Sequence, residues 1–415
     1  MSAEARIHGR RLLDRLNAFA QIGATAAGGV NRQALTAEDR EARALLARLA
    51  RDRGFAVFQD DMANLFVRRQ GRRAELPPFL IGSHLDSQPT GGRFDGALGT
   101  LSAFEVLEAI EDAAVETESA IEVVAWTNEE GSRFSPGAMG SMAFVGAADP
   151  SAWRDLRGSD GASLSEELAA TLVALPEAEQ RPVGMPISGY LELHLEQGPS
   201  LEKERIPIGI VTGVQGTRWL EVTVRGQAGH AGTTELAYRR DPMVATTVAL
   251  EKLFAAVMPG DAAARLTVGR LCTFPGSINA IPEQVVFSVD LRHPDSDRLD
   301  EMEEQVSAVC AKAATASGCT VDIRRTFDMP SAEFPATMIV TLEDAARRLS
   351  IPFKKMISGA FHDALFLARV APTGMIFVPC RDGLSHNEAE FVEPEDAILG
   401  AQLLLEATLA VTQST

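Results

Sequence analysis

Short apolar runs that end in polar, glycine-containing turns recur toward both ends of the chain. The runs at 55–58, 64–69 and 78–83 have the length and composition of strands, and 120–126 is apolar except for Glu122. A strand that is apolar on both faces is typical of a covered, partly parallel sheet. Helical periodicity marks the segments 38–53 and 96–113. This alternation of strands and helices predicts an α/β fold.

The middle of the chain has a different rhythm. Strand-like runs at 218–224, 265–271, 284–291 and 320–327 frame two helical segments, 241–257 and 296–314. This order, βαββαβ, is that of a ferredoxin-like domain, in which a four-stranded sheet carries two helices on one face. We interpret residues 213–328 as such a domain inserted into the α/β fold.

The α/β pattern resumes after the insertion. Helices are predicted at 336–349, 362–368 and 393–411, with a strand at 373–378. The fold class is therefore α/β, with a mixed-sheet domain formed by 1–212 plus 329–415 and interrupted by the domain at 213–328.

Composition and charge narrow the function. The 415 residues are 46% hydrophobic and 23% charged, as in globular proteins, and the formal net charge of −18 argues against nucleic-acid binding. No run approaches the ~20 apolar residues that cross a bilayer, and the N-terminus lacks the apolar core of a secretory signal. The four cysteines show no CxxC spacing and are interpreted as reduced thiols, so we expect a cytoplasmic protein without membrane or nucleic-acid partners.

The densest polar motif follows the predicted strand 78–83. It places His84, Asp86 and Asp95 between that strand and the helix 96–113, at the sheet edge where α/β proteins build their sites. Because residues two apart on a strand point the same way, we expect the Asp86 carboxylate to accept the second ring proton of His84 and fix its tautomer. The Gly91-Gly92 turn would let Asp95 reach a metal held by His84.

Other polar turns carry further ligand types. Glu129 and Glu130 follow the strand 120–126, so that one can bind a metal while its neighbour stays free as a base; His194 and His386 also lie in polar segments. Taken together, these residues predict two metal ions bridged by Asp95, with His84 and His194 on one ion and Glu130 and His386 on the other. Taken singly, each has a plainer interpretation, such as a strand-end histidine or a helix N-terminal carboxylate.

Seven segments in this order resemble the binuclear metal amidohydrolases of the M20 peptidase clan, in the branch of N-carbamoyl-L-amino-acid hydrolases, allantoate amidohydrolases and β-ureidopropionases. They are GSHLDS (82–87), GGRFDGALG (91–99), TNEEGSRF (127–134), ELHLEQGP (192–199), GQAGHAGTT (226–234), SGAFHDA (358–364) and GLSH (383–386). The resemblance spans nearly the whole chain and implies a metallopeptidase-like catalytic domain with an inserted domain that serves as lid and dimerisation surface.

The resemblance also implies a role for each matched residue. The metal ligands are His84, Asp95, Glu130, His194 and His386, holding two divalent ions (zinc, manganese, cobalt or nickel), with Asp86 behind them. Glu129 is the implied general base. His230 is an implied catalytic donor to the oxyanion that reaches the active site of its own subunit or of a partner subunit in a homodimer. The implied substrate contacts are Gln197, His230, Asn279 and Arg292. Without the resemblance, Arg292 would be interpreted as a surface arginine and Asn279 as a turn residue.

The implied activity is hydrolysis of the carbamoyl C–N bond of N-carbamoyl-L-amino acids, small molecules that pair a ureido group with a carboxylate. Allantoate, ureidoglycolate and N-carbamoyl-β-alanine share that pairing and remain alternatives, as do M20 aminoacylase or peptidase activity and a catalytically silent binding protein. The chain departs from many relatives at Phe361, at Glu235-Leu236 and at Asn387-Glu388. These positions bear on the substrate pocket, and none of them is a proposed ligand.

Overall fold

The chain folds as two compact units. The computed structural model describes residues 5–413. The first unit contains the residues up to Thr212 and those from Glu333 onward, and the second is Gly213–Ala332. The second junction lies later than the 328/329 boundary predicted from the sequence, because the last long strand of the second unit runs to Met329.

Seventeen strands and eleven helices are found in the described residues. The strands are β1 (Ala56–Asp60), β2 (Leu65–Arg69), β3 (Phe79–His84), β4 (Ile121–Trp126), β5 (Glu179–Arg181), β6 (Gly189–Leu195), β7 (Ile208–Val214), β8 (Gly216–Arg225), β9 (Gly229–His230), β10 (Arg265–Thr267), β11 (Leu271–Phe274), β12 (Ala280–Ile281), β13 (Gln284–His293), β14 (Thr320–Met329), β15 (Ala332–Glu333), β16 (Phe353–Ser358) and β17 (Thr373–Val378). The helices are α1 (Gly9–Ala20), α2 (Ala37–Asp52), α3 (Ala97–Asp112), α4 (Met139–Phe144), α5 (Leu164–Val173), α6 (Ser200–Glu204), α7 (Pro242–Val257), α8 (Ser296–Ala316), α9 (Ala336–Arg348), α10 (Asp363–Leu367) and α11 (Pro394–Thr412). Among the residues described, no helix combines the length and the apolar character needed to cross a bilayer.

The sheet of the first unit is mixed, as predicted. Its strand order is β15-β7-β17-β6-β3-β4-β2-β1-β5, with β16 pairing β7. The four central strands β17, β6, β3 and β4 are mutually parallel, whereas β7 and β2 join them antiparallel. Parallel strands end at a common edge, so the turns that follow these four strands meet there.

Burial explains why the central strands are continuous apolar runs. Every residue of β3, β4, β6 and β17 is buried. α3 packs against β3 and β6, and α11 packs against α3 and also against β6 and β17. Because α3 is enclosed on all sides, it is apolar around nearly its whole circumference.

The second unit has the predicted βαββαβ arrangement. Its sheet order is β10-β13-β8-β14, with β11 also pairing β13, and α7 packs against α8. Along β13 every second residue is buried, which is the alternation of a sheet covered on one face. Asp241 caps α7 by accepting the Met243 amide, and Pro242 occupies the first turn.

Some elements differ from the sequence prediction. The single strand predicted at 265–271 is two strands, β10 and β11, because the chain is interrupted around Gly269 before it pairs with β13 again. Among the elements that were not predicted are the helix α1 and the strands β6, β7 and β16. The strand β16 has an uneven burial pattern at the sheet margin, so its sequence lacks the apolar run that marks the central strands.

Candidate metal centre and catalytic site

Four neighbouring parallel strands deliver polar side chains to one sheet edge. His84 is the last residue of β3, His194 is the penultimate residue of β6, and Glu129 and Glu130 follow the end of β4. His386 lies in the segment that follows β17. Residues distant in sequence therefore converge because their strands are adjacent and parallel in the sheet.

The first group of ligand type consists of His84, Asp95 and His194, all buried. The Oδ1 atom of Asp95 lies 3.0 Å from His194 Nε2 and 3.8 Å from His84 Nε2. The ligand atoms of the three residues lie within 4.8 Å of one another.

The second group consists of Asp95, Glu130 and His386. His386 Nε2 lies 3.4 Å from Asp95 Oδ2 and 3.3 Å from Glu130 Oε2. Asp95 thus presents one carboxylate oxygen to each group. Asp95 is therefore common to the two groups.

The spacing and the hydrogen bonding fit metal ions. Bonds of about 2.1 Å put neighbouring ligand atoms of a tetrahedral ion about 3.4 Å apart, close to the distances found here. His84 Nδ1 lies 2.9 Å from the Asp86 carbonyl oxygen and His194 Nδ1 lies 3.0 Å from that of Leu195. Each Nδ1 therefore carries a hydrogen and donates it, which directs Nε2 toward Asp95. The buried Nε2 of His194 forms no hydrogen bond with any of residues 5–413, a defect that a cation would correct.

The electrostatics of the centre also favour added positive charge. Burial raises the pKa of Glu130 well above its ordinary value, and the charge of Asp95 raises it further. Burial lowers the pKa of His84 to about 4, so its imidazole is neutral at pH 7 and suited to bind a metal. Burial also lowers the pKa of His194, but the Asp95 carboxylate, 3.0 Å from Nε2, outweighs burial and raises that pKa to about 9. A cation is therefore attracted to the position between His194 and Asp95.

Glu129 lies beside the ligands without belonging to either group. Its Oε2 is 3.6 Å from His84 Nε2, and its side chain is buried. Burial raises the pKa of Glu129 well above the ordinary value, and the negative charges of Asp363 and Glu130 add to the effect. A carboxylate with a raised pKa can both accept and return a proton near neutral pH.

Asp86 is placed as a supporting residue, but through atoms other than those predicted. Its backbone carbonyl, and not its carboxylate, lies within hydrogen-bond distance of His84 Nδ1; the carboxylate oxygen is 3.8 Å away. The carboxylate instead accepts the backbone amides of Glu129 and Glu130, at 3.3 and 3.2 Å. The predicted contact was wrong because the chain turns after His84, so the two residues do not continue one strand face. Burial raises the pKa of Asp86 to about 7.

Backbone conformation contributes to the site in two ways, through a glycine that lies against a histidine ring and through non-glycine residues with left-handed φ. Gly96 has φ +64°, and a Cβ there would lie 2.4 Å from the His84 ring, so only glycine lets the chain pass this close to the ligand. Asn128, Gln197 and His386 have left-handed φ values of 53–55° although none is glycine. Such conformations cost energy and cluster at functional sites.

Several residues of the site were not singled out from the sequence. Gln88 donates to both carboxylate oxygens of Glu130, from its backbone N–H to Oε1 at 3.1 Å and from its side-chain Nε2 to Oε2 at 2.7 Å. Ser385 donates to the Asp95 carboxylate, and Glu390 accepts the backbone amides of Phe94 and Asp95. The only available signal was position, since Gln88 falls inside the densest motif and the other two flank His386.

Gln197, a predicted substrate contact, is held at the centre. Its Nε2 donates to Asp95 Oδ2 at 3.2 Å and to Ser385 Oγ at 3.1 Å. Its carbonyl oxygen Oε1 is buried and accepts no hydrogen bond from the described part of the chain. That oxygen is available to a donor such as a ureido N–H.

The other predicted substrate contacts lie in the second unit. His230 and Asn279 adjoin each other, because the Ala231 amide donates to the Asn279 carbonyl at 3.0 Å and β9 pairs with β12. Arg292 directs its guanidinium to Asp290, with Nη2 2.9 Å from Oδ2. A substrate carboxylate would have to compete with Asp290 for this arginine.

Two of the departures noted in the sequence, Phe361 and Glu388, lie beside the site's loops, whereas Glu235-Leu236 lies in the second unit. The ring of Phe361 would be 3.1 Å from a Cβ added at Gly137, and the same Cβ would be 2.4 Å from the Glu129 carbonyl. Phe361 therefore covers the turn that follows the proposed base. Glu388 accepts a hydrogen bond from Thr25 Oγ1, which ties the segment after His386 to the 25–29 turn.

Comparison with known proteins agrees with this geometry. Residues 80–410 match Peptidase family M20/M25/M40. An N-carbamoyl-L-amino-acid amidohydrolase of Rhizobium meliloti is 38% identical over 98% of this chain and 97% of its own length, and one of Pseudomonas sp. (strain NS671) is 37% identical over 96% and 97%. The crystal structure of an amidase of the hydantoinase/carbamoylase family from Burkholderia multivorans has a TM-score of 0.93 at 41% identity and covers 99% of both chains. The predicted resemblance is confirmed: the chain belongs to Peptidase family M20/M25/M40 and is a hydrolase of amide C–N bonds.

Proposed function

We propose that this enzyme hydrolyses the carbamoyl C–N bond of N-carbamoyl-L-amino acids. The observation that carries the proposal is the pair of ligand groups that share Asp95, with Glu129 buried beside them and outside both. The names of the two relatives, each matched along nearly its full length, support this choice of substrate. With one water, the products are the free amino acid, ammonia and carbon dioxide.

Two divalent ions per subunit would occupy the two groups. His84, His194 and one oxygen of Asp95 would hold one ion, and Glu130, His386 and the other oxygen of Asp95 would hold the second. Mixed imidazole and carboxylate ligands suit zinc, manganese, cobalt or nickel. When bound, such ions lower the pKa of a water molecule and polarise a carbonyl oxygen.

Glu129 would then carry the proton through the reaction. It is positioned to take a proton from the attacking water and to return it to the departing nitrogen, so that no net proton is gained or lost. The backbone of Glu129 is fixed by the Asp86 carboxylate, which keeps the base in place while its side chain exchanges the proton.

Substrate recognition would use both polar groups of the substrate, the ureido group and the carboxylate. Gln197 Oε1, which receives no hydrogen bond from the described residues, is a buried acceptor for a ureido N–H. Arg292 and Asn279 are proposed to bind the carboxylate, since a guanidinium fork matches two carboxylate oxygens. His230 is proposed as the donor that stabilises the tetrahedral oxyanion.

We further propose that the enzyme is a cytoplasmic homodimer in which the second unit serves as dimerisation surface and lid. The four cysteines are free thiols, which suits a reducing compartment.

The test combines metal removal with a substrate panel. Chelation should abolish activity, and adding back Zn²⁺, Mn²⁺, Co²⁺ or Ni²⁺ should restore it. Ammonia release should be fastest from N-carbamoyl-L-α-amino acids. Faster release from allantoate, ureidoglycolate or N-carbamoyl-β-alanine would move the assignment to one of those substrates. Turnover of dipeptides or N-acyl amino acids without any ureido substrate would overturn it.

A further inference from the structure

Glu390 lies directly behind the shared carboxylate of the centre. Its side chain is buried, and its Oε1 accepts the backbone amides of Phe94 and Asp95, each at 3.0 Å. Two consecutive amides held by one oxygen fix the peptide plane that leads into Asp95. The direction in which the Asp95 side chain leaves the backbone therefore depends on Glu390.

A second contact reaches the Asp95 side chain itself. Ser385 Oγ lies 3.0 Å from Glu390 Oε2 and 3.1 Å from Asp95 Oδ2. A hydroxyl has one hydrogen to donate, so it serves one of these two carboxylates at a time. When Asp95 Oδ2 faces a cation, Glu390 can receive this hydrogen in its place, so that Gln197 Nε2 is the one of these two donors that still contacts the Asp95 oxygen.

Packing holds Glu390 at this position. The rings of Phe94 and Phe391 meet edge to face with centroids 5.8 Å apart, and the Arg381 amide donates to the Phe391 carbonyl at 2.8 Å. The segment that carries His386 and Glu390 is thereby joined to the segment that carries Asp95.

Gly92 makes room for this arrangement. A Cβ added at Gly92 would lie 2.0 Å from the Glu390 carboxylate carbon and from its Oε1. The obstructed atoms are the far end of a flexible side chain, so an alanine at this position would displace the Glu390 carboxylate.

We propose that Glu390 is a positioning residue that orients Asp95 for simultaneous binding of two divalent ions, with Gly92 as the space it requires. This inference rests on the proposed function, because it assigns Asp95 the bridging role. It concerns the assembly of the site and not the chemical step.

The test is metal binding measured on the whole enzyme. Metal-free protein is titrated with Zn²⁺ by calorimetry, and the bound metal is counted after dialysis. Glu390→Ala should weaken at least one of the two sites by about 10- to 100-fold, the usual cost of removing a residue that supports a ligand. Glu390→Gln keeps an oxygen for the two amides but places an amide NH2, which cannot accept a hydrogen, at Ser385 Oγ, so its affinity should lie between those of Glu390→Ala and the wild type. A purely structural role would instead lower the melting temperature of the metal-free protein and leave both dissociation constants unchanged.

Gly92→Ala gives an independent test, because it leaves Glu390 in the sequence. It should reproduce the loss of affinity. In the double variant the alanine no longer has a carboxylate to displace, so Gly92→Ala should add little to the effect of Glu390→Ala, in contrast to the additive behaviour of independent sites.

Glu393→Gln is the matched control, since Glu393 lies in the same segment but pairs with Arg381 at the surface; its affinities should equal those of the wild type. Wild-type protein that binds two ions, together with Glu390→Ala protein that binds them equally well, overturns this inference alone. Wild-type protein that binds no divalent ion overturns the proposed function and, with it, this inference.

Discussion

Glu129 differs from its neighbour Glu130 in what each side chain faces. Glu130 is held by Gln88 and faces His386, whereas Glu129 approaches His84 without joining a ligand group. This difference supports the proposal that, of two adjacent residues after one buried strand, Glu130 binds metal and Glu129 transfers the proton.

The first prediction separates these tasks. Glu129→Gln should retain both metal ions and lower kcat by about 10²- to 10⁴-fold, because an amide has the shape of the carboxylate but cannot take a proton. Steady-state ammonia release and metal analysis measure the two quantities. Glu130→Gln is the comparison and should lose metal. Near wild-type kcat in Glu129→Gln would refute the base assignment.

At the residue scale, the sequence predicted the types of the ligands better than their supporting contacts. His84, Asp95 and Glu130 could be picked out because ligand residue types followed strands that were apolar enough to recognise. Glu390 could not, since a glutamate in a polar turn is usually solvated, and only the fold shows that it is buried against the Asp95 amide. Asp86 was chosen correctly as a nearby residue, but the atom that contacts His84 depends on a chain turn that spacing does not specify.

At the scale of a single element, the turn 229–234 fixes the state of the His230 ring. Its Nδ1 accepts the amides of Gly232 and Thr233, at 3.1 and 3.3 Å. An Nδ1 that accepts carries no hydrogen, so Nε2 must carry it. The exposed ring therefore presents a donor, as stabilisation of an oxyanion requires. Arg239 closes the same turn by donating to the carbonyls of Ala231, at 2.6 Å, and Thr234, at 2.9 Å.

The second prediction concerns the two hydrogen bonds by which Arg239 closes the turn. Arg239→Met should loosen the turn, mix the two His230 tautomers and lower kcat more than it changes KM, by less than the ~10²- to 10³-fold cost of losing an oxyanion donor outright. Nitrogen chemical shifts of the histidine rings report the tautomer directly. Arg240→Met, at the exposed neighbouring position, is the control. An unchanged tautomer and kcat in Arg239→Met would show that the turn holds its shape without the guanidinium.

At the scale of the whole molecule, periodicity was sufficient to predict an inserted βαββαβ domain. The alternation in β13 and the largely apolar runs of β3, β4 and β17 are strong local signals. The strands β6, β7 and β16 of the large sheet were missed. Glu192 and His194 interrupt the apolar run of the central strand β6, and β16 at the sheet margin has an uneven burial pattern. The sheet order, which brings four ligand-bearing turns to one edge, is a long-range property that no local pattern encodes.

The placement of the proposed catalytic groups in different units has a consequence for a homodimer. Glu129 lies in the first unit and His230 in the second. If His230 serves the active site of the partner subunit, each site of the dimer takes these two residues from different chains. If it serves its own subunit, both come from one chain.

Heterodimers of two inactive variants distinguish these arrangements. A dimer of one Glu129→Gln chain and one His230→Ala chain contains one intact site if His230 acts across the subunits, and none if it acts within its own chain. Equal amounts reassociated at random should then regain about one quarter of wild-type activity, since half of the dimers are mixed and each has one working site of two. Pairing Glu129→Gln with Glu130→Ala, which alter the same unit, should regain nothing and serves as the control. Two different affinity tags on the chains allow the mixed dimers to be isolated. Isolated mixed dimers without activity would place His230 in the site of its own subunit, and failure to obtain any dimer would refute the proposed assembly.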